Sequence, residues 1–347
     1  MENEKTSLSY MMDTFKKAPQ IYQASLFWQK LNEMHVEQLQ RYGYENFKRT
    51  LNLRYFNFLP APMNVQVMNL VRYWIAHPTF LIFKTRYSDN DISKYRDGIR
   101  SSLLRLYVPT LYKLFTSMQW WYTKGVDKEN LLGRIEEPLE GNPFRIYHKD
   151  RLISQDVCNS ILDYYSIMNQ MPSSFKDTLS IAELGAGYGR DAFVFLKVMK
   201  CKYVIFDIPP ALYVAQRYLS SIFPGLRIFK FRDFDSYDDI KPEYEKADLC
   251  FFTPNQMELL PKPQFDLFIN ISSLHEMTME QIKNYFSLIN EYTRGYFYTK
   301  QWLRSKNPDD GVIITFNDYP ILPSWQRVFF RKHPIQSDFF EALYRIA

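Results

Sequence analysis

Two acids and a run of glycines carry the first chemical signal. Glu183 and Leu184 precede Gly185, Ala186, Gly187, Tyr188, Gly189 and Arg190. Glycines at every second position let a backbone turn sharply and let a ligand come close. A helix predicted to start at Arg190 adds free N–H groups beside them. That is chemistry for a nucleotide. The dinucleotide fingerprint G-x-G-x-x-G needs its third glycine at position 190, where Arg190 stands, and Gly189 is one place early. Glu183, two residues before the first glycine, suits a cation better than a pyrophosphate. Asp207 follows Gly189 by eighteen residues and ends the next apolar run. A carboxylate there can accept both hydroxyls of a ribose. A tight turn in an unrelated α/β protein would also show glycines, so the pairing with Asp207 strengthens the signal.

A second cluster could move a proton. His275 and Glu276 follow the apolar run Phe265–Ile271, in the segment Asn270-Ile271-Ser272-Ser273-Leu274-His275-Glu276. An imidazole takes a proton near neutral pH, and a neighbouring carboxylate can orient it or act as the base itself. The plainer alternative is a capping pair at a helix start. Lys300, Gln301 and Trp302 follow another apolar run and are candidate substrate contacts, as is His333. No His, Asp or Glu spacing calls for a metal. The dense carboxylates of 232–239 read as a solvated insertion.

These groups need a scaffold that brings the ends of several strands together. From Leu179 onwards apolar runs alternate with helical spacing. Strands are expected at 179–183, 202–207, 248–252, 265–270 and 294–299, with 312–316 and 327–332 closing as a hairpin. Helices are expected at 190–199, from Pro210 to about 221, and from a Thr278 cap to about 290. That is an α/β, Rossmann-like, doubly wound sheet of seven strands, occupying 151–347. A helix is expected after a Ser154 cap, with Gln155, Asp156 and Asn159 on its surface. Residues 1–150 read as a mainly helical cap or substrate domain, with helical spacing at 21–39, 65–76 and 99–108, punctuated by Pro60, Pro62, Pro78 and Pro109.

Composition narrows the class. The chain has 347 residues, a net charge of +5 and only three cysteines, without CxxC or zinc spacing. Cys158, Cys201 and Cys250 read as reduced and mostly buried, which fits a cytoplasmic protein. No signal pattern or run of ~20 apolar residues is present. Residues 1–150 hold 21 Lys and Arg against 15 Asp and Glu. That excess reads as a solvated helical surface, with steering of an anionic substrate or contact with a membrane surface as alternatives. No nucleic-acid motif or repeat is found.

The segment Glu183–Arg190 resembles motif I of class I S-adenosylmethionine-dependent methyltransferases. From about Glu136 the chain resembles a bacterial family of sugar O-methyltransferases. The resemblance rests on Gly141-Asn142-Pro143, Ile153-Ser154-Gln155-Asp156, the glycine segment, Asp207-Ile208-Pro209, Asn270–Met277 and Tyr298-Thr299-Lys300-Gln301-Trp302. It implies S-adenosyl-L-methionine as cofactor, held by Glu183, Gly185, Ala186, Gly187, Tyr188, Gly189, Arg190, Asp207 and Ile208. Thr253, Pro254, Asn255 and Gln256 would border the adenine, and Asn270, Ile271 and Ser272 would complete the site. It also implies a carbohydrate or nucleotide-linked sugar as substrate, in surface-polysaccharide biosynthesis. Some relatives carry Gln where His275 stands, which raises the standing of Glu276 as the base. A homodimer is a candidate assembly, and no spacing requires a divalent metal, although some sugar methyltransferases use magnesium. Two other readings stay open: a nucleotide-dependent oxidoreductase, and a methyltransferase fold that binds without turnover.

Overall fold

The structure is a computed structural model and describes residues 2–51, 65–79, 84–88, 102–172, 179–306 and 311–346. The chain forms two compact units. A sheet unit comprises Met1–Val36, Ile167–His333 and Asp338–Ala347, and a helical unit comprises Glu37–Ser166 and Pro334–Ser337. These units do not follow the expected division at residue 150. The first 36 residues go with the sheet, and 151–166 go with the helices.

The sheet unit is built on eight strands: β1 Leu179–Leu184, β2 Cys201–Phe206, β3 Ile228–Phe229, β4 Leu249–Phe252, β5 Phe265–Ile271, β6 Thr293–Trp302, β7 Gln326–Lys332 and β8 Phe339–Arg345. Their order is β7-β8-β6-β5-β1-β2-β4-β3. All neighbours from β3 to β6 run parallel, and β8 is antiparallel to both β6 and β7. The chain leaves β1 towards β2 on one side and later returns to β5 on the other. The topological switch point of a doubly wound sheet therefore lies between β1 and β5. This is a Rossmann-like, doubly wound α/β fold with an antiparallel edge.

Continuous apolar runs explain the central strands. Every residue of β4 and β5 is buried, as expected of parallel strands covered on both faces. The helices α1 Glu2–Phe15, α2 Leu26–Tyr42, α3 Arg190–Val198, α4 Ala211–Ile222 and α5 Met279–Tyr292 belong wholly or partly to this unit. Thr278 caps α5 as the sequence predicts, accepting the amide N–H of Gln281. Phe15 and Tyr22 join the core of β2, β4, β5 and β6 side chains.

Two strand expectations need correction. The sheet has eight strands, because the two-residue β3 is too short to show any periodicity. The partner of 326–332 is β8, and 313–315 pairs instead with 304–306. Burial decides this. β8 sits between two strands and needs the apolar run Phe339-Phe340-Glu341-Ala342-Leu343-Tyr344, of which only Phe339 is incompletely buried. Ile313 is 45% exposed.

In the helical unit the helix Val65–Ala76 matches its expected span. Another runs Ser102–Val126, continuing through Pro109 rather than ending there. Residues 99–101, Pro60 and Pro62 lie outside the described residues. Ser154 caps the helix Gln155–Met168 through the amide N–H of Val157. The expected surface side chains Gln155 and Asn159 are buried, and Gln119 donates to Asn159. A core of Leu70, Phe115, Met118 and Ile335 includes one residue from the 334–337 segment, whose Ile335 carbonyl accepts from Asn69 at 2.8 Å. All three cysteines are free and buried. Among the described residues no helix is long and apolar enough to cross a membrane, and no group of acids, histidines and cysteines could hold a metal ion.

Candidate active site

The candidate residues gather where four parallel strands end. Glu183 and the glycine turn end β1, Asp207 follows β2, Thr253–Gln256 follow β4, and Ser272–Glu276 follow β5. Gly185, Gly187 and Gly189 have φ of 73°, 61° and 85°, a region L side chains rarely adopt. The need for glycine at 185 is doubled, because a Cβ there would lie 2.5 Å from Ser273 Oγ. The glycine turn and the loop after β5 are thus in contact.

Asp207 closes the turn from the other side. Its Oδ2 accepts the Gly187 N–H at 2.8 Å and its Oδ1 accepts the Ile208 N–H at 2.7 Å. Each oxygen keeps a lone pair for a further donor. Burial pushes Asp207 up to about 7, against the pull of those two N–H groups. Glu183 is buried, and the Tyr203 hydroxyl on β2 donates to its Oε2 at 2.7 Å. Burial, and then the nearby Asp191 carboxylate, push Glu183 well above the ordinary carboxylate range. A cation at the glycine turn would oppose that shift by favouring the ionised form. Arg190 lies 3.4 Å from Asp191 at the start of α3.

After β4, Thr253 and Gln256 form a capping box, and Gln256 also donates to the Arg232 carbonyl. Both are therefore committed to the turn. They position Pro254 and Asn255 rather than offering their own side chains. Asn255 Oδ1 is buried without a protein donor.

A chain of hydrogen bonds joins β1, β5 and β6, and it fixes one proton. The Leu184 carbonyl can only accept, so the group 2.9 Å away is the Asn270 amide nitrogen, which also donates to Ser273 Oγ at 2.6 Å. Asn270 Oδ1 therefore faces Gln301 and accepts from its Nε2 at 2.6 Å. Gln301 Oε1 is then left 3.0 Å from His275 Nδ1, which must carry the hydrogen. Burial lowers His275 to about 4, opposed by the Gln301 bond, so the ring is neutral at pH 7. Its lone pair lies on Nε2, which is 3.6 Å from Glu276 Oε1. Glu276 Oε2 accepts the indole N–H of Trp28 at 3.0 Å. Ser272, in the same loop, has φ 55°, a strained value for a residue with a side chain and one that clusters at functional sites. Its amide donates to the Lys300 carbonyl.

The other expected contacts lie around this relay and on the neighbouring strands. Asn270 and Gln301 are fully buried and spend their amides on the relay, so they orient the site. Lys300 is buried on β6 opposite Glu341 of β8. His333 is buried at the β7–β8 turn, its amide donating to the Phe339 carbonyl. Trp302 is half-exposed, with its ring 6.2 Å from His275 and 4.8 Å from Phe339. Ile208 is half-buried against the core, and Ile271 ends β5. Sequence reasoning missed Trp28, Tyr203 and Phe339. Tyr203 could have been found as the β2 residue in register with Ile181, two places before Glu183. Nothing in the sequence marks Trp28.

No family model and no curated protein matches this chain. Among solved structures it is similar to an S-adenosylmethionine-dependent methyltransferase from Mesorhizobium loti, at 12% identity over 53% of this chain and 97% of that one, with TM-score 0.34. It is similar to a SAM-dependent methyltransferase of Leishmania major, at 13% identity over 55% and 71%, TM-score 0.35. It is also similar to Burkholderia thailandensis 1,6-didemethyltoxoflavin-N1-methyltransferase, at 14% identity over 55% and 78%, TM-score 0.34.

Proposed function

We propose that this chain is an S-adenosylmethionine-dependent O-methyltransferase whose acceptor is a sugar hydroxyl. The observation that carries the reading is the relay from Leu184 to His275. It leaves a neutral imidazole lone pair beside Glu276, next to the switch-point crevice.

The residues fit the cofactor. Asn255 Oδ1 is a buried orphan acceptor, which the amino group of an adenine would satisfy. Asp207 offers one lone pair on each oxygen, suited to two ribose hydroxyls. Glu183, beneath the glycine turn, would answer the positive charge of the methionine part. When bound, the group supplies a methyl on a positively charged sulfur, already activated for displacement.

The chain's own residues then align and deprotonate the acceptor. Displacement at that methyl would leave the acceptor's hydroxyl proton for the protein to take up. The hydroxyl proton passes to His275 Nε2. The imidazolium so formed is buried and needs a counter-charge, and Glu276 supplies one at 3.6 Å. The half-exposed Trp302 and its neighbour Phe339 form an aromatic wall of the kind that stacks on the apolar face of a sugar ring. The sugar assignment rests on this wall and on the sequence resemblance.

Methyl-labelled S-adenosylmethionine, incubated with the protein and surface glycan of the source cells, tests the reading. The expected product is a labelled O-methyl sugar, formed more slowly in His275→Ala and Glu276→Gln while cofactor affinity is kept. Tight binding of NAD with none of S-adenosylmethionine would overturn it, as would normal turnover in both variants.

A further inference from the structure

The N-terminal segment belongs to the sheet unit, and its contacts follow the carboxyl ends of the strands in order. The Tyr10 hydroxyl accepts the Asp233 N–H, beyond β3, at 3.2 Å. The buried Tyr22 donates to Glu258, beyond β4. Gln281, in the first turn of α5 after β5, donates to the carbonyls of Ile21 at 3.2 Å and Gln23 at 2.8 Å. The segment then enters α2, whose Trp28 meets Glu276. An indole N–H can only donate, so it fixes Glu276 Oε2 as the receiving oxygen and turns Oε1 towards His275 Nε2. The indole direction is itself set by edge contacts with Phe27 and His35, at 6.0 and 6.4 Å.

We propose that residues 10–28 form an arm of the catalytic site, and that Trp28 is a positioning residue that holds the Glu276 carboxylate towards His275. This rests on the methyltransferase reading above. A carboxylate free to rotate would point to water for part of the time. Held by the indole, it faces the ring at the moment the ring becomes charged.

The test uses the full chain and separates the two ideas. In protein labelled with 15N-tryptophan, the Trp28 indole signal, assigned from Trp28→Phe, is expected to move in Glu276→Ala. The His275 ring, followed by NMR, is expected to titrate lower in Trp28→Phe, because the carboxylate no longer faces it. In turnover with labelled S-adenosylmethionine and source-cell glycan, Trp28→Phe is expected to lower kcat about tenfold at unchanged cofactor Kd. In the Glu276→Gln background the same change is expected to cost less than about twofold. An unmoved indole signal, an unchanged His275 titration or equal losses in both backgrounds would each overturn the proposal. The indole signal is also assigned in the parent by correlation to the Trp28 backbone, so a poorly folding Trp28→Phe does not remove this measurement. If the parent transfers no methyl, the O-methylation reading fails, while the indole and imidazole signals still decide whether Trp28 orients Glu276.

Discussion

Asp207 and His275 titrate in different directions from their ordinary values, and both shifts serve the same site. Asp207 is raised from near 3.8 to about 7 by burial. An acid raised in the folded state contributes stability that is full below its unfolded value and lost as pH rises through the folded one. The stability of the parent should therefore fall relative to Asp207→Asn between pH 4 and pH 8, by up to about 4 kcal/mol, read from urea titrations at each pH. In the proposed cofactor site Asp207 acts as the ionised carboxylate. Affinity should weaken about tenfold per pH unit below 7, and the Asn variant should bind weakly with no such slope, both measured by calorimetry. His275, lowered to about 4 by burial, stays neutral above about pH 5. At saturating cofactor, kcat should hold level from pH 8 down to about pH 5, while kcat/KM for the cofactor falls. A kcat that tracked a group near 6.5 would count against a buried His275 as base.

At the scale of elements, the glycine turn and the loop after β5 form one packed junction. Gly185→Ala places a Cβ 2.5 Å from Ser273 Oγ and 2.7 Å from Ser273 Cβ, at φ 73°. The expected cost is about 2–4 kcal/mol from overpacking and backbone strain. The double variant with Ser273→Gly should recover the steric part and leave the strain of about 1–2 kcal/mol, as thermal unfolding would reveal. The relay makes a second prediction. Gln301→Leu strands Asn270 Oδ1 and His275 Nδ1, at about 1–3 kcal/mol each. It also frees the imidazole to place its hydrogen on either nitrogen. Turnover should drop at least about tenfold, with cofactor Kd little changed. Equal loss of cofactor affinity would mean that Gln301 serves the cofactor directly. The strands and helices that carry these residues were largely legible, because buried parallel strands are continuous apolar runs and Thr278 is a direct capping signal. The two-residue β3 was not, and the closing hairpin was assigned the wrong partner. Both depend on which neighbour covers a strand.

For the whole molecule, the first 36 residues are the instructive case. Met11, Phe15 and Tyr22 are buried, and Phe15 and Tyr22 lie in the core beside β-sheet residues such as Phe252 and Phe268. Removing residues 1–24 should expose that core. Each truncated aromatic contact is worth about 3–5 kcal/mol, which rivals the net stability of a domain. The truncated chain should bind an exposed-apolar-surface dye and lose its cooperative transition in the sheet unit, and a fragment of 151–347 should do the same. A fragment of 151–347 that unfolds cooperatively with normal near-UV circular dichroism would show that the arm is dispensable.

The sequence by itself determined the strand–turn–helix at Glu183–Arg190, the acid at Asp207 and the proximity of His275 and Glu276 in the chain. Local rules suffice for these: apolar period, glycine spacing and a carboxylate at a strand end are all written within a few residues of one another. Only the tertiary structure decided which nitrogen of His275 keeps its lone pair, that Gln301 and Asn270 set it, and that Trp28 anchors Glu276. Those facts join residues 86 and 248 positions apart. A hydrogen bond over such a separation depends on which strand ends the fold brings together, and no local pattern of residues encodes that.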